Sequence, residues 1–170
     1  MSIRVAVLTA SDRSARGERP DASGPAIEEV VFAQGWEVVR RAIVPDDLES
    51  LKAQLIEWAH ADDVDVILTT GGTGFSRRDV TPEATLAVVD RLAPGIAEAM
   101  RAASLRVTSH AMLSRAVAGL CGRVLIVNLP GSPRGAVENL QVILPVLPHA
   151  VQLLTEDPQA EKGHRAPPIK

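Results

Sequence analysis

Four short runs of apolar residues without helical spacing constrain the fold of this chain more than any other feature. They cover residues 3–10, 36–44, 64–70 and 123–129. Such runs are typical of strands buried on both faces of a parallel sheet. Stretches with helical spacing or helix-start signals lie between and after them, at residues 25–34, 48–60, 81–92, 94 onwards, 134–144 and 146–154. The alternation predicts a doubly wound α/β domain with one mostly parallel sheet.

Residues with helix-capping side chains mark where several of these helices should begin. Ser23 precedes the helix expected near Pro25, within a polar stretch, residues 11–24, that is predicted to be a loop. Thr81 stands before Pro82 as the predicted cap of the helix over residues 81–92. Ser132 can cap the helix over residues 134–144 in the same way.

The length of 170 residues suits one domain that buries roughly 70% of the surface of its unfolded chain. We assign this domain to residues 1–155. The remaining residues, 156–170, read EDPQAEKGHRAPPIK. Because this segment is polar and rich in proline, it is predicted to be disordered.

Composition argues against several classes of protein. The net charge is −3 and aromatic residues make up only 2% of the chain, with no Tyr, which disfavours a nucleic-acid-binding surface. Cys121 is the single cysteine, so no internal disulfide can form. The first residues turn polar too soon for a secretory signal, and no apolar run approaches the ~20 residues of a membrane span. We therefore expect a cytoplasmic protein that does not enter a membrane.

Loops that follow the predicted strands carry the residues with chemical potential. They are residues 9–13, 45–47, 71–81 and 128–135. Ligands of open α/β sheets bind outside the carboxyl ends of the strands. These loops bring hydroxyls, carboxylates, arginines and glycine amides to that edge, which predicts a site for a phosphorylated ligand and a metal.

A glycine-rich loop, GGTG at residues 71–74, is the most conspicuous of these segments. Its bare N–H groups can approach an anion closely, although a glycine turn without a ligand is also common. Arg77, Arg78 and Asp79 follow in the same loop. The lysine of a P-loop is missing, and no GxGxxG follows the first strand, so Walker NTPases and hydride-transfer cofactors are disfavoured.

Asp46 and Asp79 follow two different strands and are expected at the same sheet edge. Mg²⁺ is typically held by one or two carboxylates together with substrate phosphates, so the pair is a candidate metal site. Alternatively, Asp46 only caps the helix that begins near Leu48.

The other candidates are weaker. The histidines show no zinc-binding spacing, and Cys121 has no obvious basic partner, so it is interpreted as structural. Ser114–Arg115 and Ser132–Arg134 are candidates for binding phosphate oxygens.

Several longer motifs support a family resemblance. They are SDR at 11–13, DASGP at 21–25, VPDD at 44–47, TTGGTGFSRRDVTPEAT at 69–85, MLSRAVAG at 112–119 and NLPGSPRG at 128–135. With these motifs the chain resembles the molybdopterin adenylyltransferases of the molybdenum cofactor biosynthesis family. The resemblance extends over residues 3–155, nearly the whole domain.

The resemblance implies a three-layer α/β/α fold and an enzyme that transfers AMP from Mg-ATP to the terminal phosphate of molybdopterin, releasing pyrophosphate. It implies a homo-oligomer, with a trimer favoured over a hexamer, and the molybdate-insertion protein of the pathway as a partner. Asp46 and Asp79 would be the catalytic, metal-binding pair. The substrate-binding residues would be Ser11, Asp12, Gly71, Gly72, Thr73, Gly74, Arg78, Ser114, Asn128, Pro130 and Gly131. Of these, Ser114 and Asn128 would contact the pterin.

An alternative within the family is a carrier that binds molybdopterin without turnover. Such a carrier needs the glycines of residues 71–74 and Ser114, but it does not need metal ligands. Silent relatives lack the Asp of the VPDD segment and the Arg before the later Asp. Here Asp46 and Arg78 occupy those positions, which favours the active branch.

Overall fold

A single six-stranded sheet organises the computed structural model, which describes residues 2–158 and 160. The strands are β1 (Arg4–Ala10), β2 (Glu37–Val44), β3 (Val66–Thr70), β4 (Arg91–Leu92), β5 (Ala118–Cys121) and β6 (Val124–Leu129). Their order across the sheet is β2-β1-β3-β6-β5-β4. The α-helices are α1 (Asp12–Ala15), α2 (Ser23–Ala33), α3 (Leu48–Ala59), α4 (Thr81–Leu86), α5 (Pro94–Leu105), α6 (Pro133–Ile143) and α7 (Leu147–Leu154).

The four predicted apolar runs form the parallel part of the sheet. β2, β1, β3 and β6 pair in parallel, and their carboxyl ends lie at one edge. β5 pairs antiparallel with β6, and β4 pairs antiparallel with β5. The mostly parallel sheet is therefore confirmed, while its two antiparallel strands were not predicted.

Helices cover both faces of the sheet, which confirms the three-layer α/β/α prediction. Alternate residues along β1 point to opposite faces, with Val5 and Val7 in one core cluster and Ala6 and Leu8 in the other. Residues of α2, α5, α6 and α7 pack into the first cluster. Residues of α3 and α4 pack into the second.

Three local predictions were wrong. The stretch after β1 is not entirely a loop, because Ser11 caps the one-turn helix α1, its hydroxyl accepting a hydrogen bond from the Ser14 N–H at 3.2 Å. Ser23 does not precede α2 but is its first residue, and Asp21 accepts the Gly24 N–H at 3.1 Å instead. Likewise, Thr81 lies inside α4.

The helix predicted over residues 81–92 also ends early. α4 stops at Leu86, and the chain then enters β4 at Arg91. The backbone N–H of Asp90 donates to the Leu120 carbonyl at 2.7 Å, and the Ala93 N–H donates to the Ala118 carbonyl at 2.9 Å. Pairing with β5 therefore replaces the last helical turn.

The segment Pro133–Leu154 is long and apolar enough, by length and composition alone, to cross a membrane. It consists of α6 and α7 joined by a 3₁₀ turn at Leu144–Val146. Its residues Leu140 and Leu147 are fully buried in the first core cluster. One such segment is weak evidence for a membrane span, because helices of other kinds meet the same criteria.

Beyond α7 the chain makes backbone hydrogen bonds at Asp157, whose N–H donates to the Gln152 carbonyl at 3.0 Å. The rest of the tail predicted to be disordered, residue 159 and residues 161–170, lies outside the described residues.

Candidate active site at the carboxyl edge of the sheet

Loops that follow β1, β2, β3 and β6 surround a cavity of about 710 Å³. We call it the acidic cavity. The predicted site residues that line it are Ser11, Asp46, Gly71, Gly72, Asp79 and Gly131. The structure therefore brings the two predicted catalytic aspartates to one cavity, as expected from the meeting of the strand ends.

Asp46 is held by a reciprocal pair of hydrogen bonds with Asp12. The Asp12 N–H donates to Asp46 Oδ2 at 2.8 Å, and the Asp46 N–H donates to Asp12 Oδ1 at 3.1 Å. The loop after β1 and the loop after β2 are thus tied together at the position of the carboxylate. This arrangement orients Asp46 without supplying it with a cation.

The cap of α3 is Asp47 and not Asp46. Asp47 accepts the Ser50 N–H at 2.9 Å and the Ser50 hydroxyl at 2.8 Å. The interpretation of Asp46 as a mere helix cap is therefore wrong, because its neighbour already fills that place. The Asp46 carboxylate is left for another purpose.

Burial raises the pKa of Asp46 above its ordinary value, and the negative charges of Asp12 and Asp79 raise it further. The pKa of Asp12, by contrast, is lowered by its hydrogen bonds to Arg78. The acidic cavity thus holds a carboxylate that is disfavoured in its charged form. A cation placed there would relieve the repulsion.

Arg78 pairs with Asp12 and, although it is not part of the lining of the acidic cavity, its charge acts on Asp46. Its Nε and Nη2 donate to the two oxygens of the Asp12 carboxylate at 2.9 and 2.8 Å. The Arg78 side chain is 59% exposed, so solvent or an anion can reach it. The predicted phosphate-binding arginine is therefore bound to Asp12, the residue that also holds Asp46.

Two glycines of the GGTG loop are required by its geometry. Gly71 and Gly72 both have positive φ, +94° and +65°, a region that side chains disfavour. A Cβ at Gly71 would lie 2.3 Å from the Ala10 carbonyl oxygen, and one at Gly72 would lie 2.4 Å from Thr81 Oγ1 and 3.2 Å from Asp46 Oδ1. The loop can therefore approach β1 and Asp46 only with glycine at both positions.

Asp79 is positioned by its own loop. Its Oδ2 accepts the Ser76 N–H at 2.9 Å, and the Asp79 N–H donates to the Ser76 carbonyl at 3.0 Å. A Cβ at Gly74 would lie only 2.9 Å from Asp79 Oδ2. Gly74 therefore leaves room for this carboxylate.

A second cavity of about 310 Å³ lies on the other side of the GGTG loop. We call it the Ser114 cavity. The predicted site residues Thr73, Gly74, Ser114 and Pro130 line it, together with apolar side chains of α5 that include Met100. Ser132, the cap of α6, lines both cavities. The predicted site residues are thus divided between two adjoining cavities.

Asn128 is fully buried and has an architectural set of partners. Its Nδ2 donates to the hydroxyls of Thr69 at 3.0 Å and Thr85 at 2.8 Å, and its Oδ1 accepts the Val117 N–H at 3.2 Å. This network joins β3, β6 and α4. Its predicted contact with the pterin stays a prediction, and neither cavity has Asn128 in its lining.

Asp21 was not among the predicted site residues, but it lines the acidic cavity with a side chain only 3% exposed. Its Oδ2 accepts the Thr9 hydroxyl at 2.8 Å, and Arg41 lies 3.6 Å away. Asp21 therefore fixes the start of α2 against β1. Asp21 is the first residue of the DASGP motif, so the motif already contained this site residue.

Thr81 supports the GGTG loop from behind, a role that was not predicted for it. Its hydroxyl is buried and, within the described part of the chain, has no hydrogen-bond partner. It lies next to Gly72. The hydroxyl lies behind the GGTG loop, outside the lining of both cavities, and is a buried polar group that the described residues leave unsatisfied.

Arg115 and Arg134 were candidates for binding phosphate oxygens, but both have protein partners. Arg134 pairs with Glu138 at 2.7 Å on the surface. Arg115 donates to the carbonyls of Gly74 and Asp79. Arg115 thus acts on the loop that carries Asp79.

The donor set of the acidic cavity fits Mg²⁺. No group of three or more His, Cys, Asp or Glu residues suited to a metal occurs among residues 2–158 and 160. Two carboxylates, Asp46 and Asp79, nevertheless line the same cavity. One or two carboxylates completed by substrate phosphates is the usual way in which proteins hold Mg²⁺.

Cys121 is buried, and burial raises the pKa of its thiol, with a further contribution from the charge of Asp90. A thiol with a raised pKa is a poor nucleophile. This agrees with the structural role predicted for it.

Comparisons with known proteins agree on one family. The family model described as "Probable molybdopterin binding domain" matches residues 6–149. A molybdopterin adenylyltransferase of Helicobacter pylori J99 is 39% identical, with 90% of this chain and 88% of that protein covered. The structure of the molybdopterin biosynthesis enzyme MoaB from Thermus thermophilus is 52% identical, has a TM-score of 0.86, and covers 92% of this chain and 98% of its own.

A longer relative is gephyrin of Dictyostelium discoideum, 41% identical over 95% of this chain. The chain spans only 24% of the length of that gephyrin. It therefore corresponds to one part of that protein.

Proposed function

The chain belongs to the family of probable molybdopterin binding domains, and from this premise we propose that it is a molybdopterin adenylyltransferase acting in molybdenum cofactor biosynthesis. It transfers AMP from Mg-ATP to the terminal phosphate of molybdopterin and releases pyrophosphate. The observation that carries the proposal is that Asp46 and Asp79 line the same cavity as the first glycines of the GGTG loop. The adenylyltransferase of Helicobacter pylori, similar along 90% of this chain, supports the same activity.

The nucleophile in this reaction requires little activation. It is a phosphate monoester whose second pKa is about 6, so it is already largely deprotonated at neutral pH. A strong general base is therefore unnecessary, and the cavity contains no histidine among its described lining residues. The reaction requires charge neutralisation and in-line positioning of two phosphate groups.

The two cavities suit the two substrates. The acidic cavity, with the glycine amides of residues 71–72, accommodates the phosphates of ATP. The smaller Ser114 cavity, with its apolar wall, accommodates the pterin. The two cavities adjoin at the GGTG loop and at Ser132, so the terminal phosphate of the pterin meets the α-phosphate of the nucleotide at that boundary.

Asp46 and Asp79 are the residues that would hold Mg²⁺ together with the substrate phosphates. When bound, the ion supplies charge neutralisation and a template for in-line transfer. Asp12 contributes by orienting Asp46: its backbone N–H donates to the Asp46 carboxylate at 2.8 Å, and its carboxylate accepts the Asp46 N–H at 3.1 Å. The raised pKa of Asp46 is consistent with a carboxylate awaiting a cation.

Arg78 is the residue that clamps the phosphates. In the structure its guanidinium is paired with Asp12. A phosphate accepts the same bidentate geometry as a carboxylate. The bound nucleotide therefore competes with Asp12 for Arg78, and Asp12 keeps its hold on Asp46 through the backbone.

The non-catalytic carrier is the second candidate and is not favoured by the relatives named above. It would use the Ser114 cavity and leave the acidic pair without a role. The raised pKa of Asp46 would then lower the stability of the fold at neutral pH without serving any function.

The test is an assay of pyrophosphate release and adenylyl-molybdopterin formation with molybdopterin, ATP and Mg²⁺. The Asp46→Asn variant serves as the control, and pterin binding is measured separately. Pterin-dependent pyrophosphate release that is lost in Asp46→Asn supports the adenylyltransferase. Tight pterin binding without pyrophosphate release by the wild-type protein contradicts it and supports the carrier.

The proposal extends to assembly and location. Leu105 and Met112 are exposed apolar side chains outside the lining of both cavities, and such side chains are suited to burial against a second copy. We favour a cytoplasmic homotrimer over a hexamer, with the molybdate-insertion protein as its partner. Light scattering on the purified chain distinguishes the two assemblies.

A further inference from the structure

Arg115 makes several polar contacts with the loop that carries Asp79, although the two residues are 36 positions apart in the sequence. Its Nε donates to the Gly74 carbonyl at 2.7 Å and its Nη2 donates to the Asp79 carbonyl at 2.6 Å. Its Nη1 pairs with the carboxylate of Glu83. In addition, the Arg115 N–H donates to the Thr73 carbonyl at 2.9 Å.

All four acceptors belong to the segment between β3 and the first turns of α4. The guanidinium reaches three of them, in Gly74, Asp79 and Glu83, with a planar fork of donors that a lysine ammonium cannot reproduce. The contacts to Asp79 are made to its backbone carbonyl, so its carboxylate stays directed by Ser76 and open to the acidic cavity. Arg115 therefore holds the main chain of the loop without occupying the site.

The same residue connects the two cavities. Ser114, its neighbour in the chain, lines the Ser114 cavity, as do Thr73 and Gly74, whose carbonyls Arg115 binds. Asp79 lines the acidic cavity. Arg115 thus links the wall of one cavity to a carboxylate of the other.

We propose that Arg115 is a positioning residue that sets the place of Asp79 and couples it to the wall of the Ser114 cavity. The part of this inference that concerns the metal rests on the proposed function, because it takes Asp79 as a ligand of the cation. The part that concerns the placement of the loop does not.

The first measurement is the binding of Mn²⁺, as a paramagnetic substitute for Mg²⁺, in the presence of a non-hydrolysable ATP analogue. Electron paramagnetic resonance reports free Mn²⁺ without turnover, and a matched titration of the analogue without protein subtracts the Mn²⁺ that the analogue binds by itself. Arg115→Ala is expected to weaken the Mn²⁺ affinity roughly 10- to 100-fold, the usual effect of removing a residue that orients a metal ligand. Arg115→Lys is expected to fall in the same range, and Glu83→Gln, which keeps both carbonyl contacts, is expected to change the affinity less.

The second measurement is amide hydrogen exchange of residues 74–80 in the absence of metal. The N–H groups of Ser76 and Asp79 are both bonded within this loop. Their exchange is expected to accelerate in Arg115→Ala. Arg123→Ala is the matched control, since Arg123 pairs with the exposed Asp62 at the opposite edge of the sheet at 3.1 Å; neither measurement is expected to change in it.

The outcomes separate this inference from the proposed function. If wild-type protein binds Mn²⁺ and Arg115→Ala binds it equally well, the positioning role at the metal site is overturned, even where exchange is faster. If wild-type protein binds no Mn²⁺, the proposed metal site fails. Exchange then decides alone: faster exchange supports the placement of Asp79 by Arg115, and unchanged exchange overturns it.

Discussion

Asp65 and Asp46 lie at opposite edges of the same sheet and differ in whether a cationic side chain pairs with the carboxylate. Asp65 precedes β3 and is enclosed by Arg4, whose backbone N–H donates at 2.8 Å and whose Nη2 donates at 2.6 Å. Asp46 follows β2 and receives a backbone N–H from Asp12 but, within the described part of the chain, forms no ion pair with a cationic side chain.

The pKa values follow this difference. Burial tends to raise the pKa of Asp65, but the hydrogen bonds and charge of Arg4 outweigh burial and lower it. Burial raises the pKa of Asp46, and neighbouring carboxylates add to the effect. The amino edge of the sheet therefore uses its charges to stabilise the fold, whereas the carboxyl edge holds a charge in an unfavourable state that a ligand can relieve.

The largest effect is expected from Asp46→Asn. Removing this carboxylate should lower the rate of adenylyl transfer roughly 100- to 1,000-fold, or about 2.7–4 kcal/mol, the range for losing one electrostatic contact to a transition state. The free energy of unfolding, measured by denaturant titration, should not fall, because an unfavourable charge is removed. A marked loss of stability would show that Asp46 supports the fold as Asp65 does.

A pair of glycines tests whether the two edges differ in steric tolerance. Gly35, at the amino edge, and Gly72 both have positive φ, but a Cβ at Gly35 meets nothing within 4 Å. Gly35→Ala should cost about 1–2 kcal/mol of unfolding free energy. Gly72→Ala adds a clash with Thr81 and should cost about 3 kcal/mol in total, with a loss of activity. Equal costs would contradict the role of Gly72 in shaping the site.

Asp65→Asn is expected to reverse the pattern of Asp46→Asn. It removes one partner of a partly exposed ion pair, so the free energy of unfolding should fall by about 1–2 kcal/mol. The kcat of adenylyl transfer should stay at the wild-type value at temperatures where the variant is folded. A fall in kcat with unchanged stability would place Asp65 in the catalytic machinery.

The smallest effect concerns pH. Because folding lowers the pKa of Asp65, its charged carboxylate stabilises the fold at pH values above 3.8, the ordinary pKa of the group. This contribution is lost as the pH falls through the lowered pKa. The raised pKa of Asp46 has the opposite sign: its cost is present above that pKa and disappears as the pH falls below 3.8. The stability gain of Asp46→Asn should therefore shrink in acid, and the loss in Asp65→Asn should shrink too. Urea titrations between pH 7 and pH 3 measure both differences, and a gain for Asp46→Asn that grows in acid would contradict this sign.

Continuous apolar runs were sufficient to predict the four parallel strands, because strands buried on both faces leave no room for polar alternation. β4 and β5 were not predicted from the sequence because they are short and lie at one end of the sheet. β4 has two exposed residues, and β5 contains Gly119, whose Cβ would lie 2.8 Å from Val89. Neither strand therefore has the composition of a β-strand, and only pairing reveals them.

The sequence motifs predicted which residues come together at the candidate site, but they did not predict which of these residues contact each other. The motifs located Asp46, Asp79 and the GGTG loop correctly at one edge. They did not indicate that Arg78 would be paired with Asp12, nor that Asp47 would cap α3 in place of Asp46. Such choices between adjacent or competing partners depend on distances of a few ångströms, which spacing along the chain does not encode.

The reciprocal hydrogen bonds between Asp12 and Asp46 have a consequence for protein engineering. Each residue donates its main-chain N–H to the side chain of the other, so the loops after β1 and β2 form one unit although 34 positions separate these residues in the chain. A chimera that takes one loop from a relative must take the other as well. Grafts and directed-evolution libraries at this site are therefore best built with the two loops varied as a linked cassette.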